Sequence, residues 1–159
     1  MKKLVIAVVA LLMSISAFAQ QGDKAIGVNL VYGSEIKNIG LGIKGQYFFL
    51  DNVRGEASFN YFMKKDNVKL WELNANAHYM LGNESMWFYP LAGFNLANVK
   101  AEYYLNGGTI SDSESKLGLN LGAGIQFPVS EMLDFTAEAK YVISDYDQFV
   151  IGIGLLYKF

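Results

Sequence analysis

Arg54 and Glu56 stand two residues apart, as do Glu138 and Lys140, and Lys44 and Glu72 lie on neighbouring stretches. In an extended strand that spacing puts each pair on one face. If the face is enclosed, the charges must pair, because an isolated buried charge is too costly. Two chemistries are open to such a set. The pairs could rearrange as a salt-bridge gate that passes small solutes, or they could form a static polar plug that fills the interior and holds strand register. His78 is the only histidine. As a catalytic base it would need an adjacent nucleophile and an orienting acid; Ser58 is a conceivable partner, but no Ser adjoins His78 on its own strand, and a lumen histidine satisfied by Asn or Glu is the expected reading. One His and no Cys supply a metal centre poorly, and no cofactor is expected. Gly40-Leu41-Gly42-Ile43-Lys44-Gly45 has the spacing of a dinucleotide loop. It lies inside a strand rather than at a strand-to-helix turn, so no nucleotide is expected there.

The elements that position these residues follow from a period of two. A first strand, about Lys24 to Gly33, turns Ile26, Val28, Leu30 and Tyr32 outward. A second, about Ile39 to Leu50, sets Leu41, Ile43, Tyr47 and Phe49 against Gly40, Gly42, Lys44 and Gln46, and Asp51-Asn52 turns the chain. A third, Val53 to Met63, sets Ala57, Phe59 and Tyr61 against Arg54, Glu56, Ser58, Asn60 and Phe62. The fourth, Leu70 to Leu81, sets Trp71, Leu73 and Tyr79 against Glu72, Asn74, Asn76, His78 and Met80. A fifth is expected from about Trp87 to Val99 with Phe88, Pro90, Ala92, Phe94 and Leu96 outward. The sixth, Lys116 to Phe127, sets Leu117, Leu119 and Leu121 against Gly118, Asn120, Gly122 and Gly124. The seventh, Leu133 to Ile143, sets Phe135, Ala137, Ala139 and Tyr141 against Asp134, Thr136, Glu138, Lys140 and Val142. Phe149 to Phe159 completes the eighth.

The outward set holds no Asp, Glu, Lys or Arg. One Lys or Arg at mid-bilayer would cost about 2–4 kcal/mol, whereas a soluble sheet would show a polar outer face. The expected fold is all-β: an eight-stranded, antiparallel, up-and-down transmembrane β-barrel. Aromatic residues such as Tyr32, Tyr47, Phe49, Tyr61, Trp71, Tyr79 and Tyr141 fall near strand ends, where two interfacial girdles would sit. Inward glycines leave room for long charged side chains in a narrow interior.

The N-terminus carries Lys2 and Lys3, an apolar run from Leu4 and then Ala17-Phe18-Ala19. That is the pattern of a secretory signal removed after residue 19, and the apolar run is shorter than the roughly 20 residues of a span. The expected organisation is a signal peptide over 1–19 and one barrel domain over 20–159. Without Lys2 and Lys3, 11 of the 13 Lys+Arg remain against 15 Asp+Glu, a net charge of −4 that does not suggest a nucleic-acid partner. The absence of Cys excludes a disulfide framework, thiolate chemistry and a lipid anchor. Exterior loops are expected near 34–38, 64–69, 104–115 and 144–148. The 104–115 stretch is the long one; Asp112 and Glu114 there are too few for a Ca²⁺ site.

With its signal, its eight alternating strands, the run Leu117-Gly118-Leu119-Asn120-Leu121-Gly122-Ala123-Gly124 and the ending Tyr157-Lys158-Phe159, the chain resembles the OmpA/OmpX-like eight-stranded outer-membrane barrels. The resemblance implies residence in the outer membrane of a Gram-negative-type bacterium and contact with outer-membrane lipid; a monomer is expected. It implies that Tyr157 and Phe159 form the closing-strand signal read by the barrel-assembly machinery. Unlike OmpA, the sequence ends at Phe159, so no peptidoglycan-binding domain and no wall anchoring are expected. The expected role is non-enzymatic: envelope integrity, with weak passage of small solutes or ions through the charged lumen (Lys44, Arg54, Glu56, Glu72, Glu138, Lys140). The alternatives are a surface-binding or adhesion-type barrel acting through 104–115, or a lipid-modifying barrel enzyme built on His78.

Overall fold

Strict alternation interrupted by short turn sequences leaves antiparallel pairing as the way to satisfy the backbone, and closure as the way to leave no free edge within a bilayer. The computed structural model describes residues 22–159 except 51, 66, 84, 106, 107 and 146; the expected signal at 1–19 lies outside the described residues. The strands are β1 (Lys24–Gly33), β2 (Asn38–Leu50), β3 (Val53–Lys65), β4 (Val68–Tyr79, resuming after Met80 as Leu81–Asn83), β5 (Met86–Leu105), β6 (Gly108–Pro128), β7 (Leu133–Ile143) and β8 (Gln148–Lys158). Each pairs with its sequence neighbours, and β8 returns to β1 with Gly27 opposite Leu156 and Gly33 opposite Val150. The result is a closed, eight-stranded antiparallel barrel with no helix among the described residues. The interruption in β4 has a local cause. Register holds from His78 opposite Leu91 to Leu81 opposite Phe88, but Pro90, which lies between those rungs, has no N–H to give to the ladder.

Side-chain parity follows the alternation. Ile43, Leu117 and Leu119 are 64 %, 77 % and 48 % exposed, while their neighbours Lys44 and Asn120 are 7 % and 0 % exposed. An apolar exterior around a polar interior is the inverse of a soluble β-barrel. Tyr61 opposite Trp71, and Tyr141 opposite Phe149, form the upper girdle. Tyr47, Tyr79 and Tyr157 lie at the other end, the end of the two termini.

One expectation is overturned. The 104–115 stretch is mostly strand: β5 and β6 stay paired from Trp87 opposite Gln126 out to Leu105 opposite Gly108. β4 accompanies β5 only as far as Val68 opposite Ala101, and β7 joins β6 only from Leu119 opposite Ile143. The hairpin therefore stands above the rest of the barrel. Its polarity suggested a loop, but a strand beyond the bilayer has water on both faces, so alternation no longer marks it. Asn98 holds the hairpin laterally, donating to Ser113 and Ser115 at 3.1 and 2.8 Å.

Candidate functional site in the barrel lumen

The inward residues of β2, β3, β4 and β7 converge on one belt. Arg54 lies opposite His78, Glu56 opposite Asn76, Ser58 opposite Asn74 and Asn60 opposite Glu72. Glu138 is flanked by Gly124 and Gly152, and Lys140 by Gly122 and Val150. The glycine at 124 is required by close approach: a Cβ there would overlap the Tyr89 ring, which enters the lumen from β5.

All six expected lumen charges meet in this belt, but few of them pair directly. Lys44 Nζ is 3.7 Å from Glu56, the single ion pair among the six that the structure gives, and it also donates to Thr136 at 3.1 Å. Gln46 donates to Glu56 at 2.7 Å. Arg54 donates to Gln126 at 2.5 Å; Gln126 donates to Asp134 at 2.6 Å, and Asp134 pairs with Lys158 at 2.8 Å. Gln148 donates to Glu72 at 2.5 Å, Lys140 to Asn74 at 3.0 Å and Tyr89 to Glu138 at 3.2 Å. An amide cluster completes the belt, with Asn95 and Asn120 both donating to Asn74 at 2.9 Å. Lys44 with Glu56 apart, the three cations (Lys44, Arg54, Lys140) and three carboxylates (Glu56, Glu72, Glu138) are thus linked through neutral amides and hydroxyls rather than to one another. Those linking residues share the inward parity of the charges, which is the signal that could have singled them out.

His78 has a defined part. Arg54 Nη2 and Nε approach its Nδ1 at 2.9 and 3.3 Å. A guanidinium can only donate, so Nδ1 accepts and the proton sits on Nε2. Nε2 faces Glu56 at 4.0 Å, and the ring stacks on Tyr89 at 4.6 Å between centroids. Ligand atoms of Glu56, His78 and Glu138 lie within 4.8 Å of one another. This donor set does not suit a cation: a metal-bound His donates its second nitrogen to an acceptor, whereas here that nitrogen faces Arg54 and Nε2 carries hydrogen. Ser58 lies on the Asn74 rung, four residues along β3 from the His78 rung, so it is not placed as a nucleophile for this imidazole.

Toward each end of the belt, apolar side chains gather in the lumen beside the remaining polar ones. Val31, Phe62, Leu70, Val142 and Val150 form a buried cluster toward the hairpin end, packed by Ile36, Ala97 and Val99. Met80, Tyr89 and Leu91, with Phe48 and Trp87, form a second cluster toward the termini. Arg54 sits over the Tyr89 and Phe48 rings at 4.9 and 5.6 Å. Between the clusters, a cavity of about 20 Å³ lies among Lys44, Glu56, Ser58, Asn60, Glu138 and Lys140, room for a single water.

At the closing seam, Tyr157 faces outward between Ile26 and Leu133, and the Phe159 N–H donates to Lys24 O at 3.0 Å. Of the two expected terminal residues, Tyr157 therefore sits on the strand that completes the ring and Phe159 directly follows it.

Comparison with known proteins agrees with this architecture. The β-barrel domain of OprF from Pseudomonas aeruginosa is 18 % identical, with a TM-score of 0.68 over 87 % of this chain and 100 % of that one. A major outer membrane protein from Thermus thermophilus is 11 % identical, with a TM-score of 0.72 over 88 % and 100 %. Ail, the attachment invasion locus protein of Yersinia pestis, is 24 % identical, with a TM-score of 0.59 over 87 % and 97 %. No curated protein matches at a significant level. The family model described as outer membrane protein beta-barrel domain matches residues 5–159. With its apolar girdled exterior and polar lumen, the chain belongs to that family of bacterial outer-membrane β-barrels.

Proposed function

We propose that this barrel is a sealed, non-enzymatic, monomeric element of the outer membrane that supports envelope integrity. The observation that carries the reading is the lumen. A belt of three cations and three carboxylates lies between two apolar clusters, and the cavity beside it has room for one water. An ion passing either cluster would have to shed hydration in a lumen already filled by side chains. Weak solute passage is therefore the lesser part of this proposal and requires the clusters to open. His78 is held by Arg54 and stacked on Tyr89, away from any hydroxyl nucleophile among its described partners, which favours a structural over a catalytic role. The reading includes removal of residues 1–19 and recognition of Tyr157 and Phe159 by the assembly machinery. Closure of β1 on β8 leaves no edge within the bilayer that needs a second copy. Liposome swelling tests the reading. Vesicles carrying the folded barrel should swell in small sugars and amino acids no faster than empty vesicles, and swelling that scales with protein content would overturn it.

A second reading rests on the hairpin. Residues 108–114 of β6 lack a β7 partner and lie beyond the Trp71 rung, so a backbone edge stands above the membrane, as a surface-binding role would require. The same fold serves Ail, named for attachment and invasion. Shortening the hairpin by removing 101–112 should abolish any adhesion phenotype and leave the barrel folded; an unchanged phenotype would remove this reading.

A further inference from the structure

The outward face of the hairpin base carries charge that neither the lumen nor the surface-binding reading uses. A register shift in β3 between Phe62 and Lys65 turns Lys64 out of the lumen parity. Lys64 and Lys69 both reach Glu102, each at 2.9 Å and each on a different carboxylate oxygen. Lys100 stands directly opposite Lys69 on the neighbouring strand, on the same face. Like charges so placed repel, and both Glu102 oxygens are already taken. No carboxylate pairs with Lys100 among the described residues. The nearby acids Asp112 and Glu114 lie opposite Ala101 and Val99, on the other face of the sheet. Among the described residues, three lysines thus gather about Glu102, and Lys100 is the one that no carboxylate reaches.

Position says what would neutralise the excess. Lys69 is two residues beyond Trp71 on the same outward row, a rise of about 7 Å. Trp71 belongs to the girdle that marks the membrane interface. The lysines therefore stand at the depth of lipid headgroups, facing the lipid. Ser113 lies opposite Lys100 and Ser115 opposite Asn98, so hydroxyl and amide groups suited to a sugar flank the cations. The far side of the ring differs: the turn between β7 and β8 carries Asp145 and Asp147, with Asp145 paired to Lys116. We infer that Lys64, Lys69 and Lys100 form a binding site for a phosphate of an outer-leaflet glycolipid headgroup, with Asn98, Ser113 and Ser115 beside its sugar.

The test uses the full chain expressed and purified as folded barrel from outer membranes. The barrel is placed in phosphatidylcholine vesicles doped with lipid A carrying both phosphates, or with the same lipid enzymatically dephosphorylated. Glycolipid retained after gentle detergent release is counted by native mass spectrometry. Wild type should retain the phosphorylated lipid. Lys69→Gln/Lys100→Gln should retain it at least about tenfold less, since each lysine near an anionic surface is worth about fivefold. Lys100→Gln alone should fall about fivefold, whereas Lys100→Arg, which keeps the charge, and Lys24→Gln, the same single charge loss near the termini, should behave as wild type. Heat-modifiable gel mobility confirms that every variant is folded. Equal retention by the double variant, or equal retention of the dephosphorylated lipid, would overturn the site. A loss as large in Lys24→Gln would show a net-charge effect and overturn it equally.

Discussion

Arg54→Met removes the most connected cation of the lumen while keeping most of the side-chain volume. Arg54 is fully buried, donates to His78 Nδ1 at 2.9 Å and to Gln126 Oε1 at 2.5 Å, and stacks over Tyr89 and Phe48. Each charge-assisted hydrogen bond is worth about 1.5–3 kcal/mol, and each acceptor left unpaired costs about 1–3 kcal/mol. These losses overlap, and removing one member of a buried charged set typically costs about 3–5 kcal/mol in total. Met contributes little cavity penalty because it refills the site. The expected loss of stability is therefore about 3–5 kcal/mol. It is read from equilibrium urea unfolding in lipid vesicles, followed by the fluorescence of Trp71 and Trp87. Adding Gln126→Leu removes one stranded acceptor, so the double variant should lose less than the sum of the singles by about 0.5–3 kcal/mol. A loss below about 1 kcal/mol for Arg54→Met, with additive behaviour in the double, would refute the view that the belt is a closed hydrogen-bonded unit.

Leu119→Arg places a cation on the lipid face and should cost about 2–4 kcal/mol, whereas Ser113→Arg on the same outward row above the bilayer should be near neutral; equal costs in urea unfolding would mean the hairpin does not leave the membrane where the structure puts it. Gly124→Ala drives a methyl into the Tyr89 ring and should destabilise by about 1–3 kcal/mol, while Gly45→Ala, whose Cβ meets nothing, should stay within about 0.5 kcal/mol. Glu102 is held at about 2 by hydrogen bonds from Lys64 and Lys69, well below its ordinary 4.5. A lowered carboxylate stabilises the fold above its unfolded value, so its contribution to hairpin order should be complete above about 4.5 and lost as pH falls through about 2. Carbon-detected NMR titration in neutral detergent should show that low midpoint, and Lys64→Gln/Lys69→Gln should return it toward 4.5; a midpoint near 4.5 in wild type would contradict the paired geometry.

The lipid face was legible because the bilayer enforces it: Leu117, Leu119 and Leu121 can only face outward if Asn120 and Gly122 face in. The identity of the lumen charges followed from the same parity. Their partners did not, because stagger around a closed ring decides which side chains meet. Arg54 finds Gln126 on β6 and His78 on β4 rather than a carboxylate across the middle. The apolar clusters were present in the inward rows as Phe62, Val31, Val142 and Met80, but only closure shows that they gather at the two ends of the belt. The hairpin escaped notice for a different reason. Above the bilayer, polarity reports solvent rather than backbone conformation, so Ser113 to Ser115 resembled a loop while pairing as strand.

Whether the lumen is sealed separates a structural barrel from a channel. Single-channel recording of the folded barrel in a planar bilayer, beside Glu138→Gln, Lys140→Gln and a Phe62→Ser/Leu70→Ser variant that breaches the upper cluster, measures this. With insertion confirmed, wild type and both charge variants should be silent, and current should appear only when the apolar cluster is opened. Reproducible conductance steps from wild type, altered by neutralising Glu138 or Lys140, would contradict it and make the belt the gate of a small channel.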